Sequence, residues 1–172
     1  MAQLQSVGEK PALTSVPEPV KQEAAQDRPE ADSAAGKVLA TRLKDSGNAA
    51  FRAAIAGDRA GFSQAEDFYA KALDVMDFDD PLLESIIHSN LAAVYLQLGD
   101  NEQAVRASYA AIEADPKNAK AQLRGARASR ALGLLVQAAR FCHRGLVLAP
   151  DNPELLQLQA ALIAEHHTSR CS

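Results

Sequence analysis

The sequence predicts an all-α fold: three tandem helix pairs stacked into a right-handed α-solenoid and closed by one capping helix. Three observations predict it. Pro116 and Pro150 lie 34 residues apart, and each closes a similar phrase, 113–116 and 147–150. Ala104 and Ala138 repeat the same offset, as do Ala111 and Gly145, and each alanine opens a helical pattern. Small residues at fixed positions let neighbouring helices approach closely, and a proline after the second helix ends it, because it cannot continue the hydrogen-bond ladder.

Taken along the chain, residues 1–35 are rich in Pro, Glu, Gln, Ala and Ser and lack aliphatic periodicity. Such a segment cannot bury enough surface to offset its chain entropy, so it reads as a disordered tail, a linker rather than a ligand. The folded domain is expected over 36–166. Its first pair covers about 40–80, with Leu43, Gly47, Asn48 and Phe51 on the first helix and Ala65, Tyr69 and Ala72 on the second. From Ala40 to Ser85 the spacing is 45, which leaves 11 extra residues. About half are expected in an inter-helix loop at 57–63 and the rest in the acidic connection 77–81, since loops absorb insertions at small cost. The second pair, 85–118, carries Ala92 and Tyr95, and the third covers 119–152. An array needs a cap over its last apolar face. The stretch 153–166 supplies one, with Leu155, Leu156, Leu158, Ala161 and Leu162 on one side. Pro153 suits a first helical turn, with Asn152 or Asp151 as N-cap. Residues 167–172 read as a frayed end.

A 34-residue period of this kind, with small residues at these places, resembles the tetratricopeptide repeat (TPR), two antiparallel helices per unit. The string 43–51 is the most family-like part of the chain. In such arrays the first helices line a concave face. Lys44 and Asn48 then sit one turn apart on the first, Asn90 on the second, and Lys120 and Arg124 one turn apart on the third. Asn90 interrupts an otherwise apolar run around Ile86, Ile87 and Leu91 and is a mediocre helix former. Lysines on helices are commonly solvated, so no single one of these positions carries the reading.

Together the five residues resemble the carboxylate-clamp class of tetratricopeptide domains over about 38–166. That resemblance implies an adaptor co-chaperone that binds the free C-terminus of cytosolic Hsp90 or Hsp70, ending Glu-Glu-Val-Asp. It implies that Lys44, Asn48 and Asn90 hold the main-chain carboxylate. Lys120 and Arg124 would then hold the terminal aspartate side chain and the backbone nearby. Ionised donors make such bonds roughly twice as strong as neutral ones. Ordering a short peptide costs entropy, so affinity on the order of micromolar, roughly −8 kcal/mol, is expected. Phe51 has two readings, a pocket wall for the peptide's penultimate side chain or packing within the first pair. Arg127 also has two, a contact to upstream glutamates or an exposed arginine. The strings 120–126 and 141–146 further resemble the tetratricopeptide repeat protein 4 family of Hsp90 co-chaperones, which carries a further C-terminal domain. A short relative of that family and another small clamp protein both remain open.

Composition narrows the alternatives. A formal net charge of −4 without a basic stripe disfavours nucleic acid or an anionic membrane as partner. The first residues lack a charged-then-apolar leader pattern, and no apolar run reaches membrane-span length. Two cysteines, Cys142 and Cys171, do not make a disulfide framework and fit a reducing, cytoplasmic setting. Gly125 and Gly133 lack the strand context of a phosphate loop. Cys142 is expected to face the core, and His88 to pack or to lie at the surface. The stretch 166–171 is a frayed tail before it is a metal site. No catalytic set, cofactor site or metal site emerges, and the chain reads as a binder rather than an enzyme. The competing function is a scaffold that assembles proteins through its convex face or cap, with the five groove residues merely solvated.

Overall fold

A computed structural model describes residues 30–76 and 79–170. The elements are α1 (Glu30–Ile55), α2 (Ala60–Asp74), α3 (Pro81–Leu98), α4 (Asn101–Ala114), α5 (Ala119–Ala131), α6 (Leu135–Leu148) and α7 (Pro153–Arg170). The pairs α1/α2, α3/α4 and α5/α6 form the three expected repeats, each stacked on the next, and α7 packs on α6. No strand occurs among the described residues, and no helix is long and apolar enough to cross a membrane.

Local chemistry sets the helix ends. Asp80 accepts from the Leu83 N–H at 3.0 Å and Pro81 opens α3. Asp100 and Asn118 cap α4 and α5 in the same way, accepting from Gln103 at 3.1 Å and Ala121 at 3.0 Å. Of the two N-cap candidates for α7, Asn152 does the work, accepting from Glu154 and Leu155 at 3.0 and 3.1 Å. Gly99 ends α3 at φ +80°, where only glycine is unstrained.

Three expected boundaries move. Helix α1 begins at Glu30, so the start of the domain lies earlier than residue 36; residues 1–29 of the expected tail lie outside the described residues. The early turns are alanine-rich, which favours helix. Lys37 reaches across to Asp80 at 2.6 Å and holds the Asp80 carboxyl below its usual range. The first inter-helix loop is also shorter than expected. It occupies 56–59, and the residues from Ala60 onward already belong to α2. Asp58 starts that helix early by accepting from the Ala60 N–H at 3.2 Å. At the other end α7 continues past residue 166 to Arg170, and 171–172 lie outside the described residues.

The core forms two clusters. One gathers Tyr69, Ile87, Leu91 and Val94 with a set of alanines; the other gathers Leu123, Phe141, Cys142 and Leu155. Cys142 faces inward as expected, donating to the Leu155 carbonyl at 3.3 Å, and burial pushes its thiol pKa up. Helix α7 buries Leu155, Leu158 and Leu162 but leaves Leu156 exposed. Close approach depends on missing side-chain atoms. Gly47 faces the Tyr69 ring in the first repeat, and Gly125 faces the Phe141 ring in the third.

The tightest contact is at Gly61, where an added Cβ would lie 2.5 Å from the backbone oxygen of Ala50. Alanine there would gain up to about 1 kcal/mol in helix propensity, but backbone cannot rotate aside as a side chain can. Overpacking costs about 1–3 kcal/mol and should prevail. Gly61→Ala is expected to lower unfolding free energy by about 1–2 kcal/mol in urea denaturation; an equal or higher stability would show that α1 and α2 separate easily.

Candidate functional site

The first helix of each pair lies beside the next, α1 against α3 and α3 against α5. Their inward polar side chains meet in a continuous chain of hydrogen bonds. Asn48 Oδ1 accepts from the Tyr69 hydroxyl at 2.7 Å and from Asn90 Nδ2 at 3.0 Å. Asn90 Oδ1 accepts from Arg124 Nη1 at 3.4 Å. The same Arg124 nitrogen donates to the Ser89 carbonyl at 2.7 Å and to Ser89 Oγ at 2.6 Å. Asn48, Asn90 and Arg124, one from each repeat, are thereby brought together.

Two adjoining hollows share those three residues. The smaller, about 130 Å³, is closed by Phe51, Arg52, Tyr69 and Ala93. The larger, about 540 Å³, reaches Ile86, Lys117, Asn118 and Lys120. Lys120 is exposed on its rim. Asp115 also lines it, with its carboxylate accepting from the Lys117 N–H at 2.9 Å. Phe51 packs within the first pair, meeting Phe62 edge-on at 5.8 Å, and also lines the smaller hollow.

Two residues stand apart from this group. Lys44 lines neither hollow; its Nζ lies 3.1 Å from the Asp45 carboxylate, with the side chain only 19% exposed. Arg127 is turned toward α7 and paired with Glu154 at 2.6 Å. Sequence reasoning also passed over four contributors. Tyr69 was legible only as a repeat aromatic, and its hydroxyl bond depends on the fold. Arg52 lies one turn beyond Asn48 and follows from that spacing. Ser89 and Lys117 neighbour the named positions but carry no signal of their own.

Burial shapes the electrostatics. Desolvation pushes the Tyr69 pKa up to about 12, against the opposing pull of Arg124. It also lowers the Arg124 pKa, although guanidinium stays charged at neutral pH. Tyr95 is pushed up to about 12 by burial and by its hydrogen bond to Glu66, at 3.0 Å. His88 is half-buried and its pKa is lowered by desolvation, with Glu84 opposing at 3.7 Å. No group of three or more His, Cys, Asp or Glu side chains is placed to hold a metal among the described residues.

Residues 95–162 match the family model of the tetratricopeptide repeat. The tetratricopeptide repeat protein 4 homolog of Dictyostelium discoideum is 33% identical over 116 residues, which cover 67% of this chain and 28% of that protein. The chain therefore spans less than a third of that relative's length. The TPR domain of Arabidopsis OM64 superposes with a TM-score of 0.67 at 26% identity, covering 76% of this chain and 98% of that one. The first TPR of Spaghetti (RPAP3), bound to the HSP90 peptide SRMEEVD, superposes with a TM-score of 0.66 at 26% identity, covering 75% and 96%.

The buried tyrosines have a measurable consequence. An unfolded tyrosine releases its proton near pH 10, whereas Tyr69 and Tyr95 hold theirs to about 12. Between those values the native chain binds more protons, so stability is full below pH 10 and falls as pH rises toward 12. Ultraviolet titration should show two of the three tyrosines ionising late, in step with that loss. Three ionisations near pH 10 with the fold intact would contradict the buried network.

Proposed function

Because the chain carries a tetratricopeptide repeat domain, a scaffold for protein interaction, we propose that its concave groove captures the free C-terminus of an acidic peptide. The ligand class is the Glu-Glu-Val-Asp tail of Hsp90 or Hsp70, and the protein acts as a cytoplasmic co-chaperone adaptor.

One observation carries this reading. The network consumes the carbonyl oxygens of both Asn48 and Asn90 internally. A carboxamide whose acceptor is filled offers N–H donors. Set beside Arg124, Lys120 and Lys117, these donors make a surface suited to carboxylate. The likeness to a Spaghetti TPR bound to SRMEEVD supports the same ligand class.

In this reading Asn48 and Asn90 receive the terminal carboxylate, joined by Lys44 once it leaves Asp45. That exchange gives up an ion pair in which Asp45 is exposed and Lys44 largely covered. Lys120 and Arg124 receive the terminal aspartate side chain. Phe51 and Ala93 border the penultimate aliphatic residue. Upstream glutamates meet Arg127 only by displacing Glu154.

Lys44 and Lys120 make the cleanest tests, since Arg124 also ties α5 to Ser89 of α3. Lys44→Ala and Lys120→Ala should each weaken binding of SRMEEVD by about 1.5–3 kcal/mol in calorimetry, with unchanged circular dichroism. Unaltered affinity in both would move the function to another surface.

A further inference from the structure

Every first helix in the array is covered by its own second helix, except α7. Among the described residues nothing pairs with it as α2, α4 and α6 pair with α1, α3 and α5. The consequence is an open, mostly apolar groove of about 690 Å³ between α6 and α7. Val136, Ala139, Leu162 and Ile163 line it, with Val136 70% and Ile163 54% exposed. The groove shares no lining residue with the hollows around Asn48 and Arg124.

The repeat itself shows what shape fits there. Tyr109 on α4 and His143 on α6 are 34 residues apart and so occupy equivalent places. At Tyr109 the next second helix, α6, supplies the cover: the Phe141 ring lies 4.9 Å away and Gln137 donates to the hydroxyl at 3.0 Å. At His143 the equivalent seat is open. A helix is the element this seat accommodates.

Charge selects the kind of helix. Arg140, His143, His166 and His167 border the groove, and among the described residues no aspartate or glutamate lines it, in a chain whose net charge is −4 with histidine neutral. A second copy docking by this same face would bring Arg140 against a rim that holds no carboxylate to meet it. A partner with acidic flanks gains instead. We propose that the α6–α7 groove is a docking site for an amphipathic helix of a partner protein, its apolar stripe flanked by Asp and Glu. It binds as a fourth second helix would, laying its stripe on Val136 and Ile163 with its acidic flanks toward Arg140 and the histidines.

The full chain tests this with three C-terminally amidated 20-residue helical peptides. One has a leucine stripe flanked by glutamates, the second has lysines in place of the glutamates, and the third keeps the glutamates but scrambles the leucines. The first should bind and shift amide resonances of α6 and α7. The second and third should bind roughly tenfold more weakly or worse. Val136→Glu and Arg140→Glu, both at exposed positions, should weaken the first peptide by about the same factor, while Lys120→Ala should not, which separates this site from the concave groove. Equal binding of glutamate and lysine peptides, or indifference to both α6 variants, would overturn the proposal. So would a dimer in sedimentation that Val136→Glu dissolves, since the occupant would then be a second copy.

Discussion

Close backbone approach at small residues is the constraint on which the other features rest. Helices α1 and α2 touch where Gly61 meets Ala50, and the Tyr69 and Phe141 rings lie on Gly47 and Gly125. Alanines such as Ala65, Ala92, Ala111 and Ala138 are fully buried at the remaining contacts. Apolar burial contributes about 25 cal/mol per Å², so alanine-rich interfaces supply little each and must be repeated. In exchange they hold adjacent first helices near enough for short polar side chains to touch. Asparagine is short, and Asn48 reaches Asn90 at 3.0 Å only because α1 and α3 are this close.

The polar chain follows from that spacing. A buried carboxamide without partners would cost about 1–3 kcal/mol, but each of these has partners on a neighbouring helix or repeat. Tyr69 and Asn90 fill Asn48 Oδ1, and Arg124 spans from α5 to Ser89 and Asn90 on α3. The groove is consequently preorganised: Asn48, Asn90 and Arg124 are held in place by bonds among themselves and to Tyr69 and Ser89. Preorganised donors lose less on binding than flexible ones. The same arrangement ends at α7, where Glu154 and Glu165 pair with Arg127 and Arg130 and fold those cations against the cap. The cations that line the two hollows are Arg52, Lys117, Lys120 and Arg124, with Asp115 beside them.

The repeat architecture was legible because it depends on period and residue size, both visible in sequence. Pro116, Pro150 and the alanines 34 residues apart locate the second and third pairs, and Asn152 and Pro153 locate the start of the cap. The start of α1 was not legible. Residues 30–35 lack the aliphatic periodicity that marks the other helices, and the pairing of Lys37 with Asp80, 43 positions away, exists only in the fold. The early start of α2 depends similarly on Asp58 and on the Gly61 contact. At the site, helical spacing suffices to put Asn48, Asn90 and Arg124 on facing surfaces. It does not reveal which atoms satisfy which. The engagement of Lys44 by Asp45 and of Arg127 by Glu154 depends on rotamers and on the placement of α7.

The proposed function requires the groove to recognise a free carboxylate. Calorimetric titration of the intact chain with SRMEEVD, beside the same peptide amidated at its C-terminus, tests it most directly. A carboxylate receptor should give a dissociation constant on the order of micromolar for the free acid and at least roughly tenfold weaker binding for the amide. Equal affinity for the two, or binding of neither, would contradict it.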